Sequence, residues 1–316
     1  MTAFPEPPDD AYAAIYLEDT DRPLPKKVSQ STRYAYFKTI ARGGKAIIQS
    51  CKDLHLGRVI CYKKLRPEFA DDPIEQTRFL REARVSAMLQ HPNSVPTYEV
   101  GRDSSGHYYF TMKLVHGYTL REVLEYRERY DLKQLIDVVI QIGHALEYAH
   151  NHRAIHRDIK PDNILVGRFG EVLLLDWGLA KVWAEDGTAQ DLISEPAVIS
   201  DEPVTSITGQ GKLQGTIAYM SPEQLRRDPD IDYRTDIYSL GAVLYEVLAG
   251  QTPFTGDTVS VITEQIQNDT PASPASIARY PVPKLLETLA LNCMAKVPEQ
   301  RPQSCGELVR LLQEDW

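Results

Sequence analysis

The chain is poor in the features that mark secreted, membrane-spanning or nucleic-acid-binding proteins. Four cysteines, Cys51, Cys61, Cys293 and Cys305, are scattered through 316 residues without a C-x-x-C pair. That spacing excludes a disulfide framework and suits reduced thiols in a cytosol. No signal peptide is read at the N-terminus, and no apolar run approaches the roughly 20 residues that a membrane helix requires. A soluble, cytoplasmic protein with no membrane span is expected. Lys and Arg number 35 against 44 Asp and Glu, giving a net charge of -9 and a pI near 5.4. With no basic excess there is no broad phosphate-binding surface, and nucleic acid is not an expected partner. Internal repeats and low-complexity tracts are also missing. The chain ends soon after its last expected helix, so no attached sensor domain is expected.

What the chain does have is a hydrophobic content of 42%, enough for a large core that divides into two lobes. Residues 1–33 carry five prolines and many acidic side chains and read as an irregular extension. Tyr12, Ile15, Tyr16 and Leu17 are its apolar exception: they either dock on the folded domain or belong to a mobile arm. From Tyr34 the texture becomes short β-type runs at 34–40, 46–52 and 58–65. A helix follows at 74–89, with Phe79, Ala83 and Ala87 at helical spacing, then two more strands at 95–100 and 107–114. Beyond Gly117 the chain turns helical, with a long core-facing helix over 132–150. Residues 184–213 form a loop rich in Ser, Thr, Asp, Glu and Gly; loops of that length are usually functional or disordered. Helices resume at 221–227, 233–248, 258–267, 283–294 and 305–314.

The most informative stretch runs from Ala154 to Leu179. His156-Arg157-Asp158 is followed by Lys160 and Asn163; two apolar runs then flank Gly170, and Asp176-Trp177-Gly178 closes the segment. The runs predict a hairpin that folds Asn163 toward Asp176, bringing a carboxylate and an amide oxygen to one magnesium-sized site. Taken singly, Asp158 reads as a turn residue, Lys160 as a solvated charge and Asn163 as a cap. Together, five polar identities coincide at fixed offsets.

In HRDIKPDN followed by DWG, the sequence resembles the eukaryotic-like serine/threonine protein kinases of bacteria. The resemblance covers roughly residues 34–312. It implies an α+β, two-lobed fold: a small antiparallel sheet with one main helix over 34–112, and a larger, mainly helical lobe over 116–312. By the resemblance, Asp158 accepts or orients the substrate hydroxyl and Lys160 neutralises the γ-phosphate. Asn163 and Asp176 hold metal. Lys63 in RVICYKKL takes the place of the ATP-binding lysine, with Glu82 as its carboxylate partner; Lys64 points to the other face of the strand. Ile48 and Cys61 cover one adenine face and Leu165 lies beneath. Met112 stands at the gatekeeper place, and the backbone of Lys113 and Val115 supplies the hinge hydrogen bonds. ATP, Mg2+ or Mn2+, and Ser/Thr-bearing protein substrates follow as implied ligands and partners, with self-phosphorylation included.

The phosphate-covering loop departs from the family. Where the pattern is G-x-G-x-x-G, the sequence has Ala41-Arg42-Gly43-Gly44-Lys45-Ala46, retaining only Gly43 of the three glycines. The Cβ of an alanine limits positive φ and holds the backbone away from phosphates. That raises an alternative, a pseudokinase scaffold with weakened nucleotide handling; a small-molecule kinase ranks third. Thr216, in GTIAYMSPEQ, is placed by the resemblance against Asp158 and Lys160, Glu223 against Arg301, and Asp236 beneath the catalytic loop. Arg157, helped by Lys181, is expected to meet a phosphate on Ser206 or Thr208, with Thr205 behind them. His150, His152 and His156 invite a zinc reading, but His156 is better explained as a core residue supporting the DWG turn.

Overall fold

The structure is a computed structural model, and it describes residues 33–182 and 215–314. The extension over 1–32 and the loop residues Thr205, Ser206 and Thr208 lie outside the described residues. Five strands open the chain: β1 (Tyr34–Arg42), β2 (Ala46–Asp53), β3 (Arg58–Leu65), β4 (Thr97–Arg102) and β5 (Tyr108–Met112), with helix α1 (Pro73–Met88) between β3 and β4. They form one antiparallel sheet in the order β1-β2-β3-β5-β4. The fourth strand starts two residues later than its β-branched and aromatic content suggests, and its register shifts between Thr97 and Glu99. A bulge of this kind breaks the strict alternation on which sequence reading depends.

Side chains alternate across a strand, so the two faces of β3 have different surroundings. One face presents Leu65, which packs with Phe110 and with Phe79 and Ala83 of α1. The opposite face carries Ile60 and Tyr62, which pack with Cys51 and Tyr109. There Tyr62 stacks on Tyr109 at 4.6 Å, and Tyr34 and Phe37 meet Tyr62 edge-on. Ala87 of α1, expected toward the core, is exposed; Ser86 is buried in its stead, donating to the Val95 carbonyl at 2.9 Å.

The larger lobe begins with β6 (Gly117–Thr119), α2 (Leu120–Glu125) and α3 (Leu132–Asn151). Strands β7 (Ala154–Ile155), β8 (Ile164–Gly167), β9 (Val172–Leu174) and β10 (Lys181–Val182) follow. The predicted hairpin is β8 against β9, with β6 on its other edge, while β10 pairs with β7. Its turn is closed by Gly170 at φ 85°, a region that glycine enters without strain. Helices α4 (Pro222–Leu225), α5 (Arg234–Ala249), α6 (Val259–Asn268), α7 (Pro274–Ile277), α8 (Lys284–Cys293) and α9 (Cys305–Leu312) complete the described chain. Helix α5 is buried from Thr235 to Ala249 without a wet face, packed by α3 and α8. It stops at Gly250, which takes the left-handed conformation common at helix C-termini.

Candidate active site

The small lobe brings one cation to the cleft between the lobes. Lys63 of β3 donates to Glu82 of α1 at 2.5 Å, closing an ion pair between residues 19 apart. Asp72 fixes the start of α1 by accepting from the N–H groups of Ile74 and Glu75, with Pro73 at the first helical position. Cross-strand pairing puts Ile48 beside Lys63 and Cys61 beside Met112. Paired residues share a face of a sheet, so all four line one side. Cys61 is buried, and Ile48, Met112 and Leu165 are half-buried. Lys64 pairs with Tyr109 on the opposite face, as the alternation requires.

The stretch from His156 to Asp176 supplies the other wall. Lys160 Nζ donates to both carboxylate oxygens of Asp158, at 2.9 and 2.8 Å, and the Asn163 side chain donates to Asp158 Oδ2 at 2.8 Å. Thr216 Oγ1 lies 3.4 Å from Lys160 Nζ, so the segment that follows the long loop reaches this cluster. The Leu175 N–H donates to the Asn163 carbonyl at 2.8 Å, which sets Asp176 beside Asn163. Asp158 N–H donates to His156 Nδ1, so Nε2 carries the proton that bonds the Leu175 carbonyl at 2.9 Å. His156 is fully buried with its ring 4.6 Å from Trp177, the core support expected for the DWG turn.

Beneath these groups a single carboxylate holds the loop. Asp236, fully buried in α5, accepts from the backbone N–H of His156 and Arg157 and lies 2.9 Å from His150 Nε2. Arg157 and Asp176 both sit in the left-handed region, at φ 66° and 62°, where a side chain is strained. Arg157 is tied down from several directions: its Nε donates to the Leu179 carbonyl and its own carbonyl accepts from Gln224 Nε2. Lys181 is buried, with its ammonium on the carbonyls of Pro229 and Ile231. Farther down, Arg301 makes a two-armed pair with Glu223 at 2.6 and 2.9 Å.

Electrostatics separates the carboxyls by environment. Burial pushes the Asp158 carboxyl up, and Lys160 only partly offsets it. At Asp176 the loss of water to the surrounding protein also acts upward, but Lys63 and the Gly178 N–H outweigh it and hold the group below the ordinary carboxylate range. Burial works against the Lys63 cation, yet the charges of Glu82 and Asp176 prevail and raise its pKa. The charges of Lys63, Glu82 and Asp176 act on one another. In agreement, a Cβ on Gly178 would lie 3.0 Å from Asp176 Oδ1 and 3.9 Å from Glu82 Oε2.

The donor set fits a hard divalent cation. Asn163 spends its amide N–H groups on Asp158, which leaves the amide oxygen as its acceptor. Asp176 is exposed, and the Gly178 N–H engages one of its oxygens. Among the described residues no group of three or more His, Cys, Asp or Glu gathers into a metal cage. A magnesium-like ion that keeps its waters and phosphates needs only one or two protein oxygens.

Two adjustments to the expected nucleotide contacts emerge. The Lys113 N–H donates to the Pro96 carbonyl, so at the hinge Lys113 has only its carbonyl to offer. In the phosphate-covering turn, where Gly43 N–H bonds the Ala46 carbonyl, neither Ala41, Gly43, Gly44 nor Ala46 takes a positive φ. The two alanines therefore impose no backbone strain in this conformation. Sequence reading also missed contacts between distant segments. Arg121 of α2 pairs with Glu246 of α5 and with the Tyr219 hydroxyl, and Lys45 pairs with Glu75; neither has a local signature.

A two-lobed molecule with a lysine–glutamate pair on one side of a cleft, and an Asp/Lys/Asn cluster on the other, has the architecture of a phosphotransferase. A family model described as protein kinase domain matches residues 34–316, and the chain belongs to that family. It is 34% identical over 294 residues to the serine/threonine-protein kinase PknD of Protochlamydia amoebophila, an alignment spanning 89% of this chain and 30% of that protein. With the serine/threonine-protein kinase PknB of Mycobacterium tuberculosis the identity is 35% over 282 residues, 88% of this chain and 42% of PknB. The chain thus spans less than half the length of these curated relatives. No helix among the described residues is long and apolar enough to cross a membrane.

Proposed function

We propose that the protein is a serine/threonine protein kinase that transfers the γ-phosphoryl group of ATP to Ser or Thr hydroxyls of proteins. The observation that carries this reading is the convergence of Lys63, Glu82 and Asp176 on one site beside the Asp158–Lys160–Asn163 cluster. Phosphoryl transfer asks a protein mainly to position its reactants and to neutralise charge. Lys63, kept cationic and aimed by Glu82, would bind the triphosphate. The Lys113 carbonyl and the Val115 N–H offer one acceptor and one donor to an adenine edge, with Ile48 and Cys61 above and Leu165 below.

Asp158 would orient the acceptor hydroxyl and take its proton; its upward-shifted carboxyl makes it a better base than a solvated aspartate. Lys160, held by that carboxylate and lying 3.4 Å from Thr216 Oγ1, would neutralise the γ-phosphate. Asn163 and Asp176 would hold Mg2+, or Mn2+, which supplies charge neutralisation to the phosphates when bound. The names of PknB and PknD support a protein substrate, and so does the ordered stretch from Thr216 to Glu223. Self-phosphorylation within the loop 184–213 and a cytoplasmic location belong to the same proposal. No observation favours the scaffold alternative.

The test is transfer of labelled phosphate from Mg-ATP to a generic basic protein and to the chain itself, compared with Asp176→Ala. Wild-type transfer well above that variant is expected. Equal, background-level signals would discard the kinase reading.

A further inference from the structure

Lys45 sits in the turn between β1 and β2, the segment read as covering the phosphates, and it is followed directly by Ala46. Its ammonium lies on the carboxylate of Glu75, in the first turn of α1, at 2.6 Å. Glu75 precedes Glu82 by seven residues. Residues seven apart on an α-helix differ by only about 20° in direction and are separated by about 10 Å along the axis. Glu75 and Glu82 therefore share one face of α1. The Lys45 ammonium is thus already on the side of the helix where Glu82 meets Lys63.

The same carboxylate has a second cation. Arg78 Nη1 donates to the same Glu75 oxygen at 2.8 Å, so departure of Lys45 leaves Glu75 paired. Glu75 is buried, and an unpaired carboxylate there would resist any such departure. The lysine, by contrast, is half-exposed, and the turn that carries it is built on Gly43 and Gly44, both exposed. A Cβ at Gly44 would touch nothing within 4 Å, while the Arg66 guanidinium donates to the Gly44 carbonyl and the Arg66 N–H to the Lys45 carbonyl, so the backbone of the turn is held and the motion belongs to the Lys45 side chain. A lysine side chain spans roughly 6 Å from its Cα, so rotation about its four carbons covers much of the distance to the Glu82 end of the helix.

We infer that Lys45 is a further phosphate-binding residue, held on Glu75 when the cleft is empty and transferred to the polyphosphate of a nucleoside triphosphate when one binds. The cation would add to the part that backbone N–H groups play in a glycine-rich loop, here a turn with Cβ atoms at positions 41 and 46. Glu75 is then the resting position and Arg78 the group that makes leaving it inexpensive. The inference rests on reading the cleft as a nucleotide site, and its test separates the two.

Isothermal titration of the full chain with Mg-ATP and with adenosine, which has the base and no phosphate, reads both. Lys45→Met is expected to weaken ATP binding about tenfold, the size of one charge-assisted contact, with adenosine unchanged. Lys45→Arg is expected to restore ATP binding, and Glu75→Gln, which releases the lysine, to tighten it a few-fold. A Lys45→Met chain that binds ATP and adenosine in the wild-type ratio would overturn the role of Lys45. Failure of adenosine to bind wild type would instead bring down the nucleotide reading on which it stands.

Discussion

Two ion pairs, one in each lobe, have similar geometry and opposite surroundings. Lys63–Glu82 closes at 2.5 Å with side chains 11% and 13% exposed and within the field of Asp176. Arg301–Glu223 closes at 2.6 Å with side chains 0% and 6% exposed, and the guanidinium also donates to the carbonyls of Ala295 and Arg234. Every contact of the second pair ends on protein. In the first, the lysine is held by one carboxylate and acted on by a second, exposed one. Distance alone does not distinguish a working cation from a structural one; the remaining neighbours do.

Breaking the sealed pair should give the largest effect. Arg301→Ala leaves Glu223 buried without its cation and should cost about 3–5 kcal/mol of stability, read by urea unfolding. A loss below about 1 kcal/mol would erase the contrast between the lobes. Lys63→Met should do the reverse: phosphate transfer falls by about 100-fold or more, the scale for losing one preorganised charge at a reacting group, while the unfolding midpoint moves little. A Lys63→Met chain that is as destabilised as Arg301→Ala would mean that both pairs serve the fold.

Acid provides a third comparison. Burial works against the Asp236 carboxylate, but His150 and the His156 N–H outweigh it and depress its pKa. A group depressed in the folded state adds stability that is present above its unfolded value, about 3.9, and is lost as pH falls through the folded one. Thermal melting of wild type should therefore drop steeply below about pH 4, and Asp236→Asn should melt lower at neutral pH with a shallower acid slope. Parallel slopes would remove Asp236 from the account. The smallest effect is expected at Thr216→Val, which deletes one long contact to Lys160; about 1 kcal/mol, or roughly fivefold in kcat/KM, is the scale for a neutral hydrogen bond. An unchanged rate would show that Lys160 is directed by Asp158 alone.

The family and the two-lobed layout could be read from the sequence because their signals are local. His156, Asp158, Lys160, Asn163 and Asp176 fall within one short stretch, and the hairpin between them is written in two apolar runs around Gly170. Lys63 and Glu82 were placed by the resemblance of RVICYKKL and RFLREA to the family, and strand alternation added only that Lys64 points the other way. Other features depended on segments meeting in space. Arg121 and Glu246 are 125 positions apart, Lys45 and Glu75 are 30 apart, and no pattern along the chain links them. The aromatic cluster of Tyr34, Tyr62 and Tyr109 lies on the sheet face opposite α1, where a regular amphipathic sheet would be polar. The strand boundaries near 97 and the short helix Pro274–Ile277 were obscured for simpler reasons: a bulge in one case, and in the other four residues too few to show a period.

Helix α5, dry on every side, determines where the molecule can bend. Rotating or sliding it would pull against the packing of the whole lower half at once, so Asp236 and the loop it grips behave as a fixed anvil. The five-stranded half carries a single helix against its sheet and a far smaller buried core, so displacing it would disturb much less packing than displacing α5.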